Sequence, residues 1–142
     1  DPSWLHGQKQ SRFLSGNNIR YHAPLFEPNQ VCEMFSNTRV NLNITSLQFD
    51  SAVINRIADC ASAGGFILTD RKKQLNDLTS VADEISFSNT EEMLQKISFH
   101  SNPENYQFTN EITNQLSTDL SINCSIEATI EKILNCASHF GN

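Results

Sequence analysis

Apolar residues along this chain switch repeatedly between a period near two and a period near 3.6, and the switches mark out alternating strands and helices. The clearest case is Phe49 to Asp70. Val53, Ile54, Ile57, Ala58 and Ala61 form an apolar stripe, and Ser51, Asn55, Asp59 and Ser62 fall on a second stripe at helical spacing. The spacing predicts a helix over Phe49 to Ala63 that stops at Gly64-Gly65. Phe66-Ile67-Leu68-Thr69 then reads as a short buried strand ending at Asp70. A helix that turns through two glycines into an apolar strand is half of a parallel α/β unit. Ligands of such sheets collect at the carboxyl ends of the strands.

The rest of the chain continues the alternation. The first eighteen residues are polar, with Trp4, Leu5, Phe13 and Leu14 as candidate anchors. Ile19 to His22 reads as a first strand. Pro28 suits the first position of a helix carrying Val31, Met34 and Phe35. Arg39 to Ile44 reads as a strand in which Val40, Leu42 and Ile44 alternate as the apolar face. After the polar stretch Arg71 to Asp77, Leu78 to Ala82 leads into a fourth strand near Glu84 to Phe87. Ser88-Asn89-Thr90-Glu91-Glu92 is a helix start, with a capping side chain and acids in the first turn, ahead of Met93, Leu94, Ile97 and Phe99. Beyond Pro103 two helices follow, one on Tyr106, Phe108, Ile112 and Leu116, the other over Ser125 to Phe140. The expected fold is Rossmann-like: a three-layer α/β/α domain with a small parallel sheet, right-handed crossovers and C-terminal helices. One domain is expected over all 142 residues. Four strands are few for this architecture, so a preceding strand-helix unit is expected outside the chain, as in an excised lobe.

Charge narrows the partners. A net charge of −6 argues against nucleic acid and against an anionic membrane surface. No apolar run approaches the ~20 residues that span a bilayer. The N-terminal residues lack the basic and apolar regions of a signal peptide, which points to a cytoplasmic location. Cys32, Cys60, Cys124 and Cys136 form no C-x-x-C pair, so free buried thiols are expected rather than zinc or disulfides. No metal and no cofactor is expected. Asn43-Ile-Thr45 and Asn123-Cys-Ser125 match the glycosylation sequon by chance in an Asn-rich chain.

Val40 to Asp70, and more loosely the chain to Leu134, resembles the C-terminal lobe of GT-B glycosyltransferases, nearest in flavour to the spore-maturation-protein group. The residues that carry this are Leu42-Asn43-Ile44, then Arg56, Asp59, Ala61-Ser62-Ala63 and Gly64 to Asp70, with Ile85 to Phe87 and the Asn89-Thr-Glu-Glu helix start downstream. The resemblance implies a lobe that binds a nucleotide-sugar, which is the substrate and not a cofactor. It implies an N-terminal lobe of the same enzyme as partner. It also implies that the lobe alone is inactive. The implied donor-binding residues are Thr45 and Ser46 in the loop after the Leu-Asn-Ile strand, Ser51, Arg56 and Asp59 around the central helix, Gly64 and Gly65, and Arg71. Asp59 matches the position at which many relatives place a ribose-binding glutamate. Ser51 stands eight residues earlier, where those relatives have the first of two glutamates.

Each of these residues also has a plainer reading. Arg56 and Asp59 at i, i+3 suit a surface ion pair, worth a few tenths of a kcal/mol. Gly64 and Gly65 suit a helix C-cap as well as a close approach to ligand. Arg71-Lys72-Lys73 is the one tight basic cluster, placed either for a diphosphate or as a solvated loop. His6, His22, His100 and His139 are scattered and suit solvent or core-edge positions. The competing function is a Rossmann-like interaction module without catalysis, which an exposed sheet edge could lead to form a homodimer.

Overall fold

In the computed structural model of the protein, residues 23–45, 55–125, 127, 128 and 130 are described. The expected strand at Ile19 to His22 lies outside them, as do Ser46, Ser51 and the start of the central helix.

Helix α1 (Pro28–Asn37) begins with its proline at the first turn, where the missing N–H costs nothing. It leads to strand β1 (Asn41–Asn43), helix α2 (Asn55–Ser62) and strand β2 (Ile67–Asp70). Two single-turn helices follow, α3 (Leu75–Leu78) and α4 (Ala82–Ile85), then strand β3 (Ser86–Phe87). Helix α5 (Thr90–Ser101), a 3-10 turn (Pro103–Asn105) and helix α6 (Tyr106–Asn123) follow. Residues 127, 128 and 130 are helical, and most of the helix expected over Ser125 to Phe140 lies outside the described residues. The strands form one open parallel sheet in the order β1-β2-β3. Asn41, Leu42 and Asn43 face Ile67, Leu68 and Thr69, while Thr69 and Asp70 face Ser86 and Phe87. A small parallel sheet in a mostly helical chain makes this a Rossmann-like α/β fold. No helix among the described residues is long and apolar enough to cross a membrane.

β2 is the central strand, and its first three residues are buried, as a parallel strand covered on both faces requires. Its neighbours in the core are Ile57, Cys60 and Ala61 of α2, Leu75, Ile85, and Ile112, Leu116 and Leu120 of α6. The join between α2 and β2 is a Schellman turn. Gly65 N–H donates to Cys60 O at 2.9 Å and Gly64 N–H to Ala61 O at 3.0 Å. Gly64 has φ +76°. The start of α5 is as expected: the Asn89 side chain accepts from Glu92 N–H at 2.9 Å, and Glu92 reaches back to Ser88 N–H at 2.8 Å.

Three expectations change. Leu42 of β1 is 45% exposed and Ile44 is exposed, while Asn41 and Asn43 are buried, so the polar set of the alternation faces inward. Their amide nitrogens are taken up by hydrogen bonds: Asn41 Nδ2 donates to Phe35 O and Phe66 O, both at 3.0 Å, and Asn43 Nδ2 donates to Thr69 Oγ1. The strand expected over Glu84 to Phe87 shrinks to Ser86–Phe87, because Ala82 and Ile85 bury together at a helical spacing of three. Of the thiols expected to be buried, Cys60 is, and burial beside Asp59 pushes its pKa up to about 12, whereas Cys32 and Cys124 are exposed.

The helical packing holds two further polar anchors. His100 stacks on Phe66 with ring centroids 4.1 Å apart, and its Nδ1 lies 2.9 Å from Thr109 Oγ1. Desolvation, helped by Lys96, lowers its pKa to about 4, so the imidazole is neutral. Asp119 of α6 accepts from Ser80 N–H at 2.7 Å, Ser80 Oγ at 2.8 Å and Thr79 Oγ1 at 2.9 Å, which ties the turn before α4 to the long helix.

Candidate functional site

The carboxyl ends of β1 and β2 carry a chain of polar side chains. Asn43 Nδ2 donates to Thr69 Oγ1 at 3.0 Å, across the pair that the strand register sets opposite. Thr69 Oγ1 donates in turn to Asp70 Oδ1 at 3.4 Å. The Asp70 carboxylate then gathers the loop beyond β1: Thr45 N–H donates to Oδ1 at 3.0 Å and Thr45 Oγ1 to Oδ2 at 2.7 Å. Lys72 Nζ closes the group at 2.8 Å from Asp70 Oδ2, and its side chain is only 7% exposed. Burial pushes the Asp70 carboxyl up, but hydrogen bonds from Lys72 and Thr45 outweigh it and hold the group below the usual carboxylate range. The strand ends therefore present a fixed carboxylate-ammonium pair and a loop held by its backbone. Asn43 Oδ1 has no hydrogen-bond partner among the described residues and is closed to solvent.

Of the residues expected at the site, Thr45 is in this group. Arg71 is not: it turns outward to pair with Asp83 at 2.7 Å on the surface. Lys72, the next residue of the basic cluster, points inward in its place. Arg56 and Asp59 are exposed on α2, and the ion pairs among the described residues are Arg71–Asp83, Lys72–Asp70 and Lys96–Glu92, so these two side chains do not pair with each other. Arg56 and Asn43 line one cavity of about 570 Å³ between α1 and β1, whose other walls include Val31, Met34 and Leu42. Gly65 is buried against protein: a Cβ there would stand 2.6 Å from Phe35 O and 2.9 Å from Cys60 Sγ. Its glycine serves a close approach inside the fold. Ser46 and Ser51 lie outside the described residues.

Asn43, Asp70 and Lys72 are the members that sequence reasoning missed. Asp70 was legible as the residue ending a strand, the position where such sheets place ligand groups. Lys72 was legible only as part of the Arg71-Lys72-Lys73 cluster and Asn43 only as part of the Leu-Asn-Ile strand, because a lysine in a polar run and an asparagine between two apolar residues both read as solvent-facing. Among the described residues no group of three or more His, Cys, Asp or Glu side chains could hold a metal ion.

Fold and site together define a Rossmann-like α/β domain with a partly buried polar group at the carboxyl edge of its sheet. Residues 3–115 match the family described as glycosyl transferase-like, and the chain belongs to that family. The match spans the Gly-Gly-to-Asp stretch and both single-turn helices, and it does not single out the spore-maturation group. No curated protein and no solved structure matches the chain.

Proposed function

We propose that this chain is the donor-binding lobe of a GT-B glycosyltransferase, which takes a nucleotide-sugar and hands its sugar to an acceptor held by an N-terminal lobe. The observation that carries this is the partly buried polar group at the carboxyl ends of β1 and β2, in a chain of the glycosyl transferase-like family. In this reading Asp70 holds the Thr45 loop in register for the donor. Asp59, exposed on α2, accepts hydrogen bonds from ribose hydroxyls, which a charged acceptor strengthens. Arg56, exposed and without an ion pair among the described residues, faces the diphosphate whose charge grows as the sugar leaves. The lobe alone orients donor and transfers nothing, because the acceptor side of the cleft belongs to the other lobe.

The test is ligand-observed NMR with UDP, GDP, UDP-glucose and GDP-mannose on wild type and Asp59→Ala. Binding of one base family that weakens about tenfold in the variant, as expected for one charged hydrogen bond, supports the donor lobe. Failure of all four to bind at millimolar concentration sinks the reading and favours an interaction module.

A further inference from the structure

At the opposite, amino-terminal edge of the sheet lies a second cavity, of about 620 Å³. That volume is in the usual range for small-ligand sites, roughly 300–1,000 Å³. Its walls come from the end of α1 and the lead into β1 on one side and from the first two turns of α6 on the other, with Gly64 between them. The Arg39 guanidinium sits over the Tyr106 ring, 4.7 Å from its centroid. Stacking of this kind fixes the planar fork of an arginine without using up its donors. None of the ion pairs among the described residues involves Arg39, in a protein of net charge −6. Around it stand neutral hydrogen-bonding side chains, Ser36, Asn37, Thr38 and Asn110.

We propose that this cavity binds an anionic saccharide, a sugar bearing a carboxylate or a phosphate, at a second site remote from the donor site. The charge goes to Arg39 in bidentate fashion, and the sugar hydroxyls go to the amides and hydroxyls around it. In a chain of the glycosyl transferase-like family, such a site would hold an acidic glycan away from the point of transfer. This inference stands on a different edge of the sheet from the donor reading, so either can fail alone.

The experiment is a titration of the full 142-residue chain followed by amide chemical shifts, with four probes: a glucuronic-acid disaccharide, glucose 1-phosphate, maltose and inorganic phosphate. The same titrations are run on Arg39→Gln and Arg39→Lys, substitutions at an exposed position that leave the core intact. Shifts at Asn37, Gly64, Tyr106 and Asn110 with either charged sugar support the site, and the probe that binds tells carboxylate from phosphate. Arg39→Gln should weaken that binding about tenfold or more, Arg39→Lys less, and maltose should bind at least about tenfold more weakly than the charged sugar. The proposal is overturned by no shifts with either charged sugar at concentrations on the order of 10 mM. Shifts that survive Arg39→Gln would also overturn it, as would inorganic phosphate binding as tightly as the sugars.

Discussion

Replacing Gly65 by alanine tests the account of the α2–β2 turn. The added Cβ would stand 2.6 Å from Phe35 O, 2.9 Å from Cys60 Sγ and 3.0 Å from Asn41 Nδ2. The first contact decides the outcome, because a backbone carbonyl at the end of α1 cannot swing aside as a side-chain tip can. Phe35 O already accepts from Asn41 Nδ2 at 3.0 Å, and Asn41 is buried, so moving the carbonyl weakens that bond. Overpacking of this kind costs about 1–3 kcal/mol, and a weakened buried hydrogen bond adds about 1 kcal/mol. Against this, alanine gains about 0.4–1 kcal/mol from a less flexible unfolded chain. The net expectation is a loss of about 2–3 kcal/mol.

Gly64→Ala is the internal control. Nothing among the described residues lies within 4 Å of its Cβ position, but its φ of +76° is left-handed. That conformation costs alanine about 1–2 kcal/mol, and the same unfolded-chain gain leaves about 1 kcal/mol of net loss. Gly64→Asn should recover part of it, since asparagine tolerates this region. Urea unfolding of the three variants with a common m-value measures the differences. If Gly65→Ala costs no more than Gly64→Ala, the close-approach argument is wrong. Gly65 would then be free to serve a ligand instead.

Three other perturbations have defined outcomes. The His100 pKa falls from 6.5 to about 4 on folding, so the unfolded chain binds more protons between those values; stability should rise with pH across that window by up to about 3 kcal/mol and be flat above it, and His100→Phe should lose that slope in urea unfolding at stepped pH. Asp119, held at about 2 first by the Ser80 backbone N–H, contributes stability that is present above the ordinary carboxylate pKa and lost as pH falls toward 2; allowing for solvent screening, Asp119→Ala should cost about 1 kcal/mol at neutral pH and nothing near pH 2. Asp70→Asn leaves the Lys72 ammonium without its carboxylate and should cost about 2 kcal/mol in urea unfolding, while weakening nucleotide binding through the loosened Thr45 loop; unchanged binding would remove Asp70 from the donor site.

What could be read from the sequence was local chemistry. Gly64-Gly65 and Asn89 with Glu92 were legible because a left-handed residue and a helix cap are satisfied within a few residues of themselves. The inward face of β1 was not. Alternation divides a strand into two sets without naming the covered one, and apolar Val40, Leu42 and Ile44 make the choice look obvious. In a parallel sheet both faces can be covered, and Asn43 is buried because Thr69, twenty-six residues away, offers its hydroxyl across the register. The basic cluster was ambiguous for the same reason. Arg71 and Lys72 follow one strand end and point opposite ways, so one must meet solvent and the other the sheet edge. Which one turns inward is set by the carboxylate each one meets. Asp83 holds the arginine outside, and the carboxylate of Asp70, already committed to Thr45 beyond a different strand, holds the lysine inside. One carboxylate therefore serves both the lysine at the carboxyl edge and the loop beyond β1, so Asp70 is the residue whose loss releases Thr45 and Lys72 together.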